Sequence, residues 1–190
     1  MIPNAGHVIA ALTGAFRLLR FDASGFSFFE RTIGGFWRSF FCAAIILPPY
    51  VLLITLRMDD AEIGNSFLRI VLVEGIAYAI GWTAFPLALA YLSDVLDRAA
   101  QYPGYIVAYN WGSAPQVVLM LIVALLRTAD ALPQAAQTGM HLGMMLYLMA
   151  VQWFVARRAL DIGPAPAFLI VALDFFLSFL IAMIAAAMLR

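Results

Sequence analysis

Apolar residues run along this chain in long blocks, separated by short segments that carry charge, proline or glycine. A membrane-spanning helix needs about 20 largely apolar residues to cross ~30 Å of hydrocarbon. Five blocks satisfy that length: about Arg38 to Leu56, Ile70 to Ser93, Tyr105 to Leu126, Thr138 to Ala156 and Pro164 to Leu189. Pro48-Pro49 predicts a bend or break in the first, because neither ring nitrogen can donate to the helix ladder. Arg57, Met58, Asp59, Asp60 and Glu62 form the loop after it, and Gly163-Pro164 suits the turn and helix start that open the fifth. The pattern predicts an all-α, polytopic helical membrane bundle, with residues 38–190 as a single five-helix domain.

The first 37 residues follow a different pattern. Val8, Ile9, Leu12, Phe16 and Leu19 recur at helical spacing until Arg17 and Arg20 end the run. With no small-residue cleavage pattern behind a long apolar core, this reads as an amphipathic interfacial helix and not a cleaved signal. Phe26, Phe28, Phe29, Phe36 and Trp37 then gather beside Arg31 and Arg38, a mixture suited to the membrane–water boundary.

Composition sharpens the class. Hydrophobic residues make up 65% of the 190 and charged residues 12%, where soluble domains hold roughly 45–50% and 25%. Formal net charge is zero, so no field draws nucleic acid. Every basic residue is arginine; with the heavy use of alanine, this suggests a GC-rich bacterial genome. Cys42 is the only cysteine, which excludes an internal disulfide and a cysteine-based zinc site. No internal repeat of the inverted-transporter kind is present.

With the N-terminus inside, Arg17, Arg20, Arg31, Arg38, Arg98, Arg157 and Arg158 are cytoplasmic, leaving Arg57, Arg69, Arg127 and Arg190 outside. That excess favours a cytoplasmic N-terminus and an outside C-terminus, in a bacterial inner membrane. Depth then follows from ~1.5 Å per helical residue. Asp174 lies just to the cytoplasmic side of the midplane, with Asn110 and Gln152 somewhat deeper in the same half. Glu74 and His141 both fall in the outer half. An inner cluster of Asp174, Asn110 and Gln152 and an outer pair of Glu74 with His141 are therefore expected, given neighbouring helices. Ser178 shares the face of Asp174, and Tyr78 the face of Glu74.

An ionisable group in a span is costly unless partnered, which makes Asp174 a functional candidate by default. A protonated aspartate donating from one helix to another accounts for it almost as well. The asparagine, serine and glutamines of the third and fourth spans read first as helix-to-helix hydrogen bonds. Met140, Met144, Met145 and Met149 around His141 raise Cu(I) ligation, against the commoner use of methionine as a gap filler. Only His141 is an intramembrane histidine, which argues against haem. No phosphate-binding glycine loop, HExxH, GxSxG or paired carboxylate site occurs, so neither a metal, a cofactor nor an enzymatic activity is expected.

The third span, Tyr105-Ile-Val-Ala-Tyr-Asn-Trp-Gly-Ser-Ala-Pro-Gln, places a tyrosine-containing segment ahead of a proline within a span. In that motif, and in an N-terminal segment followed by five closely spaced helices, the chain resembles the Yip-domain family of small membrane proteins over about Phe29 to Leu189. The aspartate-tyrosine-glycine-proline signature of eukaryotic members is absent, so their trafficking and GTPase-binding roles are not implied. The resemblance implies a non-enzymatic five-helix organiser or accessory subunit, and it carries over no functional residue.

Two functional readings result. The first is an integral membrane protein acting through protein or lipid contacts, as an accessory subunit, assembly factor or organiser, with membrane lipids and other subunits or its own copies as partners. The alternative is a small transporter or channel, a proton-coupled one included, that uses Asp174 with Glu74 and His141.

Overall fold

The structure is a computed structural model that describes residues 3–58, 66–128 and 133–190. Asp59, Asp60 and Glu62 lie outside the described residues. Seven α-helices occur among those described: α1 (Ala5–Leu19), α2 (Ile33–Ser39), α3 (Phe41–Thr55), α4 (Phe67–Val95), α5 (Tyr102–Thr128), α6 (Gln134–Leu160) and α7 (Pro164–Leu189). A 3-10 turn, Ala23–Phe28, joins α1 to the rest. Among the described residues, five stretches are long and apolar enough to cross a membrane, namely α2 with α3 (Ile33–Thr55) and each of α4 to α7.

The first stretch begins five residues earlier than the hydrophobic block indicated. Thr32 accepts from the Gly35 amide at 3.0 Å and starts the helix there, and the discontinuity falls at Phe40. Pro48-Pro49 does not break the helix: α3 runs through both. Their missing N–H groups leave the Ala44 and Ile45 carbonyls without ladder donors, a loss that one continuous apolar helix tolerates when neighbours supply packing.

Helix α5 is the hub. It packs against α1, α2, α3 and α6, and more lightly against α4, while α7 packs on α4 and α6. The most apolar part of α5 is 44% buried, against 17% in α4 and α7. The reason is chemical, since α5 carries Asn110, Ser113 and Gln116, and a span with that many polar groups gains most by facing protein. The more uniformly apolar α7 stays at the edge, with Leu169, Phe176 and Met183 exposed.

Helix α1 is bound to the bundle by its small residues. A Cβ on Gly14 would come within 2.7 Å of the Gly25 carbonyl oxygen, and one on Gly25 within 2.5 Å of the Gly14 oxygen, so turn and helix touch backbone to backbone. Ala11, Ala15 and Leu18 are buried, while Ile9 and Phe16 face outward. This is an amphipathic helix with its small-residue face on protein and large apolar groups left for another apolar medium.

Three helices end in one way. Phe21, Asp97 and Asp161 have φ of 58°, 54° and 52°. After each, the next amide bonds back five residues: Asp22 to the Arg17 carbonyl, Arg98 to Ser93 and Ile162 to Arg157. These are Schellman closures built without glycine. Aspartate tolerates the left-handed region; Phe21 is held there by edge contacts with Tyr147 and Phe154 at 5.9 and 5.6 Å between ring centroids. Arg98 also donates to the Asp161 carbonyl at 3.2 Å, tying two of these ends together.

The helices alternate in direction, which gives the bundle two ends. One holds Arg98, Arg157 and Arg158; the other holds Arg57, Arg69 and the end of α7. At the second, Arg69 donates to the Met188 carbonyl at 2.5 Å, a cation placed on the last turn of α7.

Candidate functional site

A cavity of about 510 Å³ opens between the α3–α5 pair and the α4–α7 pair. Its walls are four helical ladders. From α3 and the turn after it come Tyr50, Ile54 and Arg57; from α4, Glu74, Tyr78 and Trp82. From α5 come Tyr109, Ser113 and Val117; from α7, Ser178, Ala182 and Ala186. Each set repeats at three or four residues, the spacing that lines one helix face. The four series run from the middle of the bundle to the Arg57 end.

Tyr109 lines the deep end of the cavity, and Asp174 lies behind it, outside the lining. The Tyr109 hydroxyl donates to Asp174 Oδ1 at 2.7 Å, joining α5 to α7. Ser113 and Ser178 stand one turn above these two residues and line the cavity. On the Arg98 side, Phe85 lies 4.6 Å from Tyr109 and 6.3 Å from Tyr105 between ring centroids. Phe85, Leu89, Tyr105 and Ile106 are all at most 2% exposed, so packed side chains close the bundle below Asp174.

The α3–α4 wall is aromatic. Tyr50 and Tyr78 have ring centroids 4.6 Å apart, and Trp82 follows Tyr78 at 6.2 Å. The Tyr78 hydroxyl donates to the Ala43 carbonyl at 2.7 Å, one residue before the carbonyls that Pro48 and Pro49 leave without ladder donors.

The polar residues expected to cluster are distributed differently. Asn110 is fully buried and does not meet Asp174; its Nδ2 donates to Ser39 Oγ at 2.8 Å, fastening α5 to α2. Gln152 does not meet Asp174 either, and its amide faces Gln116 Oε1 at 3.4 Å, between α6 and α5. The partner of Asp174 is Tyr109, the immediate neighbour of Asn110 and about 100° around the helix from it. Depth placed the right turn of α5 beside Asp174, but depth does not select a face. The signal that could have found Tyr109 is its spacing to Ser113, which forms a polar stripe distinct from the one through Asn110.

Glu74 and His141 lie toward the same end but line different cavities. Glu74 is in the wall of the large one; His141 lines a second of about 260 Å³ with Gln137, Arg57 and Arg127. Arg57 borders both. Burial lowers the basicity of Arg57 from its ordinary value, with the neighbouring Arg127 acting in the same direction. Among the described residues no three His, Cys, Asp or Glu side chains gather closely enough to hold a metal. Met144, one of the methionines near His141, packs against the main hydrophobic core.

A second polar group sits near the start of α2, outside the long cavity. Glu30 pairs with Arg38, accepts from the Thr32 hydroxyl at 2.9 Å and faces His7 Nδ1 at 3.7 Å. The Thr32 hydrogen bond chiefly, then Arg38 and His7, hold the Glu30 carboxyl below its ordinary range. Gly35 belongs to the same knot: a Cβ there would overlap the Glu30 carbonyl oxygen. This glycine therefore serves an internal contact, whereas its neighbour Trp37 is exposed.

Fold and cavity together define a class, a helical bundle with five potential spans that is compatible with a multi-pass integral membrane protein. No family model, curated protein or solved structure matches the chain.

Proposed function

We propose that this is a non-enzymatic integral membrane protein of the bacterial cytoplasmic membrane, with its N-terminus in the cytoplasm, that acts as an accessory or organising subunit through lipid and protein contacts. The resemblance to Yip-domain proteins implies the same kind of role. The observation that carries the reading is the cavity between α3–α5 and α4–α7. Its volume lies within the 300–1,000 Å³ usual for small-molecule sites, and its walls are mainly apolar with a few converging polar groups. A bilayer-soluble molecule held there, together with the exposed apolar faces of α4 and α7, gives the protein both kinds of contact.

The test is mass spectrometry of the intact protein extracted in mild detergent. A small molecule retained at one per chain, and lost when Ala182→Trp fills the cavity, supports the reading. A wild-type protein that retains nothing and purifies without any other membrane protein removes it.

A second reading, proton-linked transport, is favoured by the Tyr109–Asp174 bond, which connects a hydroxyl in the cavity lining to an acid within a span. Reconstituted vesicles decide it. The transport reading requires a pH-driven flux that Asp174→Asn abolishes, and equal flux in both proteins excludes Asp174 from it.

A further inference from the structure

We infer that the large cavity is a binding site for a lipophilic organic cation, an amine or quaternary ammonium carried on a bulky apolar body. This deepens the reading of the cavity as a ligand site and rests on it.

Three observations converge. The first is the aromatic lining: Tyr50, Tyr78, Trp82 and Tyr109 all face the cavity, and adjacent rings on the α3–α4 wall are 4.6 and 6.2 Å apart. The faces of such rings are the negative pole of their quadrupoles and attract a cation, most strongly where water is excluded. The second is the position of the acids. Glu74 lies in the wall one helical turn from Tyr78, and Asp174 lies just behind the lining, bonded to the hydroxyl of the lining residue Tyr109. The third is what the rest of the wall lacks in bulk. Gly81, Ala182 and Ala185 line it too, leaving room for a large apolar body against backbone and methyl groups.

The charges are arranged along the cavity's length. Arg57 stands just past the end of α3, at the mouth, whereas Glu74 and the rings lie deeper, with Asp174 behind Tyr109. A cation is therefore favoured in the deeper part and opposed at the mouth. An anion meets the reverse, a favourable mouth and an unfavourable interior. Because the surroundings are apolar, that preference is less screened than on a protein surface.

The experiment compares two probes of one shape and opposite sign, tetraphenylphosphonium and tetraphenylborate, titrated calorimetrically into the full chain in mild detergent. Saturable binding of tetraphenylphosphonium is expected, with tetraphenylborate weaker by about tenfold or more. Glu74→Gln should weaken the phosphonium by about tenfold, and Arg57→Gln should strengthen it. Trp82→Ala provides a variant without a charge change and should also weaken it, and a melting profile of each variant shows that it is folded. Equal or tighter binding of tetraphenylborate, or phosphonium binding indifferent to Glu74→Gln and Trp82→Ala in folded protein, overturns the cation while leaving a ligand cavity. Saturable binding of neither probe overturns the cation, and retention of an endogenous molecule then decides the cavity reading separately.

Discussion

The Tyr109 hydroxyl reaches Asp174 Oδ1 at 2.7 Å, so the one acid in the most apolar helix is held by a phenol from the hub helix α5. Hydrogen bonds between spanning helices contribute about 0.6 kcal/mol on average and up to about 1.7, because the separated helices also find partners. A double-mutant cycle of Tyr109→Phe and Asp174→Asn should give a coupling of about 0.5–2 kcal/mol, measured by reversible unfolding in mixed detergent. A coupling indistinguishable from zero would mean that the two groups are held in place by packing alone.

Asn110 and Ser39 form a buried pair in which Ser39 also donates to the Phe36 carbonyl at 2.7 Å. Asn110 Oδ1 is buried without a partner, so Ser39→Ala strands the whole amide. That substitution should cost about 1–3 kcal/mol. Replacing both, as Ser39→Ala with Asn110→Leu, should recover part of the loss, since an apolar pair leaves no polar group to desolvate. Midpoints of thermal unfolding for the two proteins give the order, and a double variant less stable than Ser39→Ala would contradict it.

Gly14 and Gly25 set the distance between α1 and its following turn. Gly25→Ala places a methyl within contact of a backbone oxygen that side-chain motion cannot relieve, and should destabilise the docking by about 1–3 kcal/mol. The expected readout is faster proteolysis within the first thirty residues, with the spanning helices still protected. Gly75→Ala is the control: its Cβ meets nothing within 4 Å. Equal protection of the Gly25 variant and the control would show that α1 does not depend on this approach.

The Glu30 knot predicts a direction for acid sensitivity. Its folded carboxyl titrates below the ordinary 4.5, so its contribution is complete above that pH and is lost as pH falls through the lowered value. Asp22, held low by Ser24, acts with the same sign. The melting temperature should therefore drop on acidification below about pH 4.5, and Glu30→Gln with Asp22→Asn should flatten that drop. Persistence of the full slope in the double variant would place the acid sensitivity elsewhere.

Cys42 has no exposed surface in α3. A maleimide should leave it unmodified in the folded protein and label it fully once detergent denaturation opens the bundle. Rapid labelling under native conditions would show that α3 separates from α5.

Much of the architecture was legible because it follows from chain-local quantities. The five blocks of apolar residues give the five long helical stretches, with ends displaced by a few residues where Thr32 or Ser66 caps a helix ahead of the apolar run. Asn110 and Gln116, read first as helix-to-helix hydrogen bonds, make such bonds to Ser39 and Gln152 from the hub helix α5. Glu74 and Tyr78, expected on one face, both line the cavity, because a helix repeats every 3.6 residues whatever surrounds it.

The partners were not legible. Asp174 with Asn110 and Gln152, and Glu74 with His141, were matched by depth, and depth fixes only one of the coordinates that a hydrogen bond requires. Which face of α5 turns toward α7, and that α4 packs on α7, depend on how small and large side chains interlock between helices. The sequence by itself determined which segments form spanning-length helices and roughly how deep each polar group lies, because hydrophobic length and helical rise act along one chain direction. Only the tertiary structure decided that Tyr109 meets Asp174, that Asn110 turns to Ser39, and that four ladders enclose a cavity, because those outcomes depend on helix rotation and neighbour choice, which are set by packing between segments far apart in the chain.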